Sequence, residues 1–254
     1  PGTVRVGIKT VRDKHNLGTI DVKTVLAKSS NVGVVKIALA MKPQSMWTTL
    51  HEFGFGSVTG SGFPGESAGI LPNYEHWRPI GQATMSYGYG LSVTPLQLAQ
   101  AYAVLGSGGI RRPVSLRKLD APPQGERVFD AQVADELVRM MESVVSDTGT
   151  ARRAAVMGYR VAGKTGTAWK ASETGGYSTN KYMAVFGGVV PASNPRLAAV
   201  VVIDEPTKGA YYGGEVAAPV FASVMSGALR LLAVPPDNLQ SVPATTLVQA
   251  QDPW

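Results

Sequence analysis

Residues 182–203 constrain the architecture of this 254-residue chain more than any other stretch. Tyr182 to Val190 and Leu197 to Ile203 are apolar runs joined by Pro191-Ala192-Ser193-Asn194-Pro195. Two such runs with a short, turn-rich link read as an antiparallel β-hairpin. Tyr159 to Lys170 alternates as a third strand, and Pro219 to Val234 has the spacing of an amphipathic closing helix stopped by Pro235-Pro236.

The first half has a different period. Val4, Val6 and Ile8 alternate as in a strand, but from Val22 onward apolar residues recur at helical spacing: Val22, Val25, Leu26, then Val34, Ile37, Ala38 and Met41. Ser29-Ser30-Asn31 falls between those two stretches, and these residue types prefer caps and turns. Pro43 opens a further helix to about Phe53, and Gly54 to Gly69 is Gly-rich loop. Thr94-Pro95-Leu96-Gln97 combines a capping Thr, a Pro suited to the first helical position and the Gln of a capping box. Asp130 starts another helix, with Val133, Leu137, Met140, Met141 and Val144 expected on one face. A helical first half and a sheet-bearing second half covered by a terminal helix is an α+β pattern. Residues 1–235 are assigned to one domain, and residues 236–254, with little apolar periodicity, to a C-terminal tail.

Composition works by exclusion. The chain has no Cys, so disulfides, thiolate catalysis and Cys-based metal sites are out. His15, His51 and His76 are too scattered for a ligand motif, and neither a metal nor another cofactor is expected. The excess of 24 Lys+Arg over 18 Asp+Glu is dispersed. Its densest clusters, Arg111-Arg112 and Arg152-Arg153, lack the aromatic interleaving of a nucleic-acid groove and read as solvated surface. No apolar run is long enough to cross a bilayer. With no initiator Met and no leader, the sequence is expected to be part of a longer chain whose anchor lies elsewhere.

One motif points two ways. Gly158-Tyr-Arg-Val-Ala-Gly163-Lys164-Thr165 fits the phosphate-binding pattern GxxxxGK[ST], and Asp204-Glu205 imitates the acidic pair of an ATPase. In such a loop the Lys-Thr pair opens a helix facing the phosphates. Here Gly166-Thr167-Ala168-Trp169 follows, which is good strand and poor helix, and a βαβ crossover would need a helix before Asp204. The P-loop ATPase remains an alternative with the wrong context.

Taken instead as Lys164-Thr165-Gly166 on a strand, with Ser29-Ser30-Asn31 between two helices, the pair resembles the Lys-Thr-Gly and Ser-x-Asn motifs of penicillin-binding proteins and serine β-lactamases. Lys28 to Met41, Tyr87-Gly88-Tyr89-Gly90-Leu91, Thr94 to Ala99, Tyr211-Tyr212-Gly213-Gly214 and Ala218-Pro219-Val220-Phe221 are similar to the class B penicillin-binding proteins of Gram-negative division. The likeness runs over about residues 1–235. It implies a β-lactamase/transpeptidase-like fold: an antiparallel sheet flanked by helices, with a helical subdomain, incomplete on its N-terminal side.

The resemblance also implies chemistry. A peptidoglycan D,D-transpeptidase acylates a serine with the penultimate D-Ala of a stem peptide, expels the terminal D-Ala and passes the acyl group to an amine. Ser29 would relay a proton, and Asn31 would orient the nucleophile's lysine and the substrate amide. Lys164 would supply fixed positive charge beside Ser29 and the substrate carboxylate. Thr165 and Thr167, on one strand face, would bind that carboxylate through their hydroxyls. Gly166 would keep the strand close to its neighbours, and the Thr167 N–H would be an oxyanion donor. Tyr89, Tyr182, Tyr211 and Tyr212 resemble an aromatic wall, although core or rim packing accounts for them equally. The implied partners are the D-Ala-D-Ala stem peptide, β-lactam antibiotics and other division proteins, at the periplasmic face of the bacterial inner membrane.

The family's Ser-x-x-Lys nucleophile motif must precede Ser29, and residues 1–28 do not contain it. Ser115-Leu-Arg-Lys118 and Ser178-Thr-Asn-Lys181 match formally, but neither sits at a helix start, where i and i+3 lie together. The nucleophile, and two of the family's five sheet strands, are expected in a preceding segment. Other readings of the same fold are a β-lactamase or β-lactam sensor, with Glu66 the nearest candidate to activate a deacylating water, or a scaffold without its serine.

Overall fold

The computed structural model describes residues 2–172 and 175–241. It opens with an antiparallel hairpin, β1 (Thr3–Val6) and β2 (Lys9–Arg12). Gly7, at φ 58°, makes the turn. Ile8 was expected to extend the strand alternation; it stands in that turn and is exposed.

Helices α1 (Val22–Lys28), α2 (Asn31–Ala40), α3 (Pro43–Glu52), α4 (Pro79–Met85) and α5 (Pro95–Gly106) follow. The capping box at α5 forms as its sequence dictates: Gln97 N donates to Thr94 Oγ1 at 3.1 Å and Thr94 N to Gln97 Oε1 at 2.8 Å. Helix α4 is too short to show a period. It is held by the buried Gln82, whose amide donates to the Ala38 and Met41 carbonyls that end α2.

After a two-residue pair, β3 (Ile110–Arg111) and β4 (Glu126–Arg127), comes α6 (Ala131–Val145) with its Asp130 cap in place. The buried stripe of α6 is Ala134, Val138, Met141 and Val144, while Val133 is exposed. Ala134 is fully buried, so its small side chain takes the inward place that hydrophobicity alone gave to Val133.

Strands β5 (Ala162–Ala171), β6 (Tyr177–Val190) and β7 (Leu197–Asp204) form an antiparallel sheet in the order β5–β6–β7, with Lys164 opposite Gly187 and Phe186 opposite Val201. Strand β5 starts later than its alternation suggested, because Tyr159 instead donates its hydroxyl to the Val234 carbonyl. Helices α7 (Gly213–Val216) and α8 (Ala218–Leu231) follow, and a 3₁₀ turn, Leu239–Ser241, ends the described chain.

Both faces of the sheet are covered. Phe186 and Val190 pack against Phe221, Met225 and Leu229 of α8. Val189 points the other way, to Val138 and Met141 of α6 and to Tyr102 and Leu105 of α5. Phe221 and Leu229 are fully buried, and each contributes about 1.5–3 kcal/mol. Close packing depends on Gly187, where a Cβ would lie 2.2 Å from the Tyr102 ring.

Residues 237–241, counted with the tail in the sequence, are tied to the body. Asp237 accepts from Arg160 N at 2.7 Å and from Ser193 Oγ at 2.6 Å, and Gly158 N donates to Ser241 Oγ at 2.9 Å. Residues 242–254 lie outside the described residues.

Candidate active site

Ser29 closes α1 in the left-handed conformation, at φ 55° and ψ 48°, with its N–H bonded to Leu26 O. A serine held there stores about 1–3 kcal/mol of strain, the kind found at functional sites. The next two residues reverse the chain. Ser30 caps α2, accepting from Gly33 N at 2.9 Å, and Asn31 is its first residue.

The turn is clamped from outside by Asp13, just beyond β2. Its carboxylate accepts from Ser30 Oγ at 2.5 Å and from Val32 N at 3.0 Å. Sequence reasoning missed Asp13, since the residues it holds, Ser30 and Val32, are 17 and 19 positions away and nothing local marks it as the partner of a helix start.

Across a cleft of about 820 Å³, β5 presents its open edge. Lys164 Nζ donates to Ser29 Oγ at 2.9 Å and to the Thr165 carbonyl at 3.0 Å. It has no carboxylate partner among the described residues. Burial pushes its ammonium down to about 8, so the charge expected to be fixed is present at neutral pH and lost a little above it.

Thr165 Oγ1 lies 3.0 Å from Thr150 Oγ1, a second residue that the sequence did not flag. Thr167 Oγ1 accepts from Gly213 N at 3.1 Å, which leaves its hydroxyl hydrogen free to donate into the cleft. Trp169 N donates to Tyr89 Oη at 3.0 Å, so it points away from β6. By strand alternation the Thr167 N–H faces the same open edge, as an oxyanion donor would need.

The close approach expected of Gly166 belongs to Gly213. A Cβ on Gly166 would meet Val185 Cβ at an ordinary 3.5 Å. One on Gly213 would lie 2.2 Å from Val185 O and 2.5 Å from Gly166 O. The Tyr-Tyr-Gly-Gly run therefore seats α7 against β5.

Ser29, Asn31, Lys164, Thr165, Gly166, Thr167 and Tyr212 line this one cleft, although Ser29 and Lys164 are 135 residues apart. The other three tyrosines lie outside its lining. Tyr211 stacks on Tyr182 with centroids 4.2 Å apart and joins Tyr212 through a 3.3 Å hydroxyl contact, extending a wall behind it. Tyr89 packs edge-on against Tyr177 near the far end of β5.

The competing motifs separate from the cleft. Lys164 is in a strand and opens no helix, and Asp204 and Glu205 are paired with Lys170 at 2.8 Å. Glu66 is engaged by Thr59 N, Thr59 Oγ1 and Ser61 Oγ. Those bonds, Ser61's foremost, hold its carboxyl below the usual range, and it does not line the cleft. Ser115 bonds to the Arg117 backbone in a loop, and Ser178 lies on β6 beside Asn180, so neither formal Ser-x-x-Lys match stands on a helix.

The arrangement suits acyl transfer: a hydroxyl beside a partly desolvated ammonium, two threonine hydroxyls for a carboxylate and an outward N–H for an oxyanion. Comparison with known proteins agrees. Residues 3–226 match the penicillin binding protein transpeptidase domain. The peptidoglycan D,D-transpeptidase FtsI of Escherichia coli (strain K12) is 48% identical over 235 residues, covering 92% of this chain and 40% of that protein. The probable peptidoglycan D,D-transpeptidase PenA of Neisseria flavescens is 46% identical, covering 96% and 61%. The apo TP domain of Burkholderia pseudomallei penicillin-binding protein 3 superposes with a TM-score of 0.87 at 46% identity, covering 93% of this chain and 72% of that one.

Proposed function

The chain belongs to the penicillin-binding protein transpeptidase family, and from that premise we propose that it builds the Ser-x-Asn and Lys-Thr-Gly walls of a peptidoglycan D,D-transpeptidase. The chain spans 40% of the length of the E. coli relative. In this reading the Ser-x-x-Lys nucleophile comes from a segment outside these 254 residues. The observation that carries the proposal is the Lys164–Ser29 hydrogen bond, beside Thr165 and Thr167 on the open edge of β5.

In this reading the steps follow from the chemistry of acyl transfer. The C-terminal carboxylate of a D-Ala-D-Ala stem peptide is held by Lys164 and the Thr165 and Thr167 hydroxyls, which lays the scissile amide along β5. The nucleophilic serine attacks the penultimate carbonyl, and the Thr167 N–H stabilises the oxyanion. The amide C–N bond breaks, and Ser29 passes the serine's proton to the departing D-Ala amine while Lys164 offsets charge at its oxygen. A second amine then attacks the acyl-serine, the C–O bond to serine breaks, and the proton shed by nitrogen restores the serine hydroxyl as the cross-link forms.

A β-lactam carries a carboxylate beside a strained amide, so the same groups would bind it and leave a stable acyl-enzyme. The engaged state of Glu66 favours this slow deacylation over β-lactamase turnover. Septal wall synthesis with other division proteins, at the periplasmic face of the inner membrane, is the setting that fits such an enzyme.

Intact-mass spectrometry after incubation with a penicillin tests the proposal. The full-length protein should gain one equivalent, and its Lys164→Ala variant should gain it far more slowly. Residues 1–254 alone should gain none. No adduct on the full-length protein, or an adduct on the chain alone at Ser29, Ser115 or Ser178, would overturn it.

A further inference from the structure

We propose that a second cleft, between the 54–60 loop and the β3–β4 pair, binds a monocarboxylate that also carries a secondary amide, the chemistry shared by N-acyl amino acids and N-acetylated sugar acids. The site does not depend on the transpeptidase reading above.

This cleft encloses about 570 Å³, a volume in the range of small-molecule sites, and shares no lining residue with the one around Ser29 and Lys164. His51 and three charged residues, Arg111, Arg112 and Glu126, are in its lining.

Here Arg111-Arg112, read from the sequence as solvated surface, divides into two roles. Arg111 is a strut. Its Nη1 donates to the Glu52 carbonyl at 2.9 Å and its Nη2 to the Glu126 carboxylate at 3.0 Å, which joins the end of α3 to β4. Its charge is thereby matched. The Arg112 side chain makes no hydrogen bond or ion pair among the described residues. Its stem lies along Gly125, another lining residue, where an added Cβ would come within 2.8 Å of Arg112 Cγ. The lining thus keeps one positive charge that no carboxylate offsets.

Beside it stands a half-used amide. Gln100, from α5, lines the cleft and is only 7% exposed. Its Nε2 donates once, to the Arg112 carbonyl at 2.7 Å, and its Oε1 accepts nothing among the described residues. Side chains this buried ordinarily have their polar atoms satisfied. The oxygen faces Gly54, a lining residue at φ 99°, on which a Cβ would lie 3.1 Å away. A bare glycine there leaves the approach to the oxygen open.

These groups select a ligand. A guanidinium without a partner suits a carboxylate, which it can grip with two parallel hydrogen bonds. The Gln100 amide has a free acceptor and one spare N–H, the complement of a second amide. Phosphate and other anions that only accept would leave Oε1 facing their oxygens, so the anion must bring an N–H of its own.

The full-length protein, first acylated with a penicillin so that the Lys164 cleft is filled, can be titrated calorimetrically with N-acetylglycine, N-acetylmuramic acid and two ligands without a carboxylate, N-acetylglycinamide and N-acetylglucosamine. At least one of the two acids should bind, and the tighter of them tells a peptide-derived ligand from a sugar-derived one. Its carboxylate-free counterpart should bind roughly tenfold more weakly or worse. Arg112→Gln should cause a similar loss, Arg112→Lys a smaller one, and the penicillin acylation rate of both variants should match wild type, which shows that they are folded. Binding of neither acid at tens of millimolar, or undiminished binding in a folded Arg112→Gln, overturns the site. If Arg112→Gln does not fold, equal binding of the acid and its carboxylate-free counterpart to wild type overturns it. A protein that penicillin does not acylate sinks the transpeptidase reading alone, and the same titrations on the unmodified wild type and Arg112→Gln still decide this site.

Discussion

Lys164 and Ser29 share a 2.9 Å hydrogen bond that joins an edge strand of the sheet to the turn between the first two helices. The lysine is half-buried with no carboxylate partner among the described residues, and the serine is in left-handed backbone. Each is poorly placed for stability alone, and in the proposed reading each serves the same ligand.

The lysine predicts a pH profile. Its folded pKa of about 8 lies below the ordinary 10.5. Between those values the unfolded chain binds more protons than the native one, so the stability linked to Lys164 rises with pH across that window. Carboxylate binding runs the other way, because it needs the charge. Penicillin acylation of the full-length protein should fall above about pH 8, and Lys164→Arg should remove that inflection. A rate that climbs through pH 8 would instead make the free amine a base.

Thr167 should matter through a hydroxyl that valine lacks. In Thr167→Val the acceptor for Gly213 N and the donor to the carboxylate vanish together. The second-order acylation rate should fall at least tenfold, about 1.4 kcal/mol. An unchanged rate would remove Thr167 from the carboxylate site.

Asp13→Ala deletes two acceptor contacts at the start of α2, to Ser30 Oγ and Val32 N. Loss of a helix-start acceptor weakens a fold by about 0.5–2 kcal/mol, and the Ser29 turn should relax with it. The melting temperature and the acylation rate should both drop, with Asp13→Asn intermediate because it can still accept from Val32 N. A full rate in Asp13→Ala would show that the turn holds without its clamp.

Two glycines make a matched pair. Gly213→Ala puts a methyl 2.2 Å from Val185 O on β6 and 2.5 Å from Gly166 O on β5, so α7 or the two strands must move and acylation should fall at least tenfold. Gly227→Ala, within α8 with nothing inside 4 Å of its Cβ, should stabilise by about 0.5–1 kcal/mol. Thermal melts and acylation rates on both variants check the contrast.

Elements with strong local signals were legible in the sequence. The β6–β7 hairpin declares itself through two apolar runs and a Pro-bounded link, and α5 through a capping box in which every bond forms. Both are decided by contacts within a few residues. Helix α4 and the rotation of α6 were not legible. A seven-residue helix has no readable period, and Ala134 gains its inward place from packing rather than from its own hydrophobicity.

The site divides along the same line. Lys164-Thr165-Gly166-Thr167 and Ser29-Ser30-Asn31 could be picked out as motifs, and their strand and turn settings follow from local sequence. That they meet 135 positions apart, that Asp13 clamps one and Thr150 and Gly213 the other, and that Glu66 is engaged elsewhere, only the tertiary structure decided. Periodicity and capping are short-range properties written residue by residue. The pairing of two walls, and the burial that brings a lysine down to about 8, depend on which surfaces the folded chain brings together.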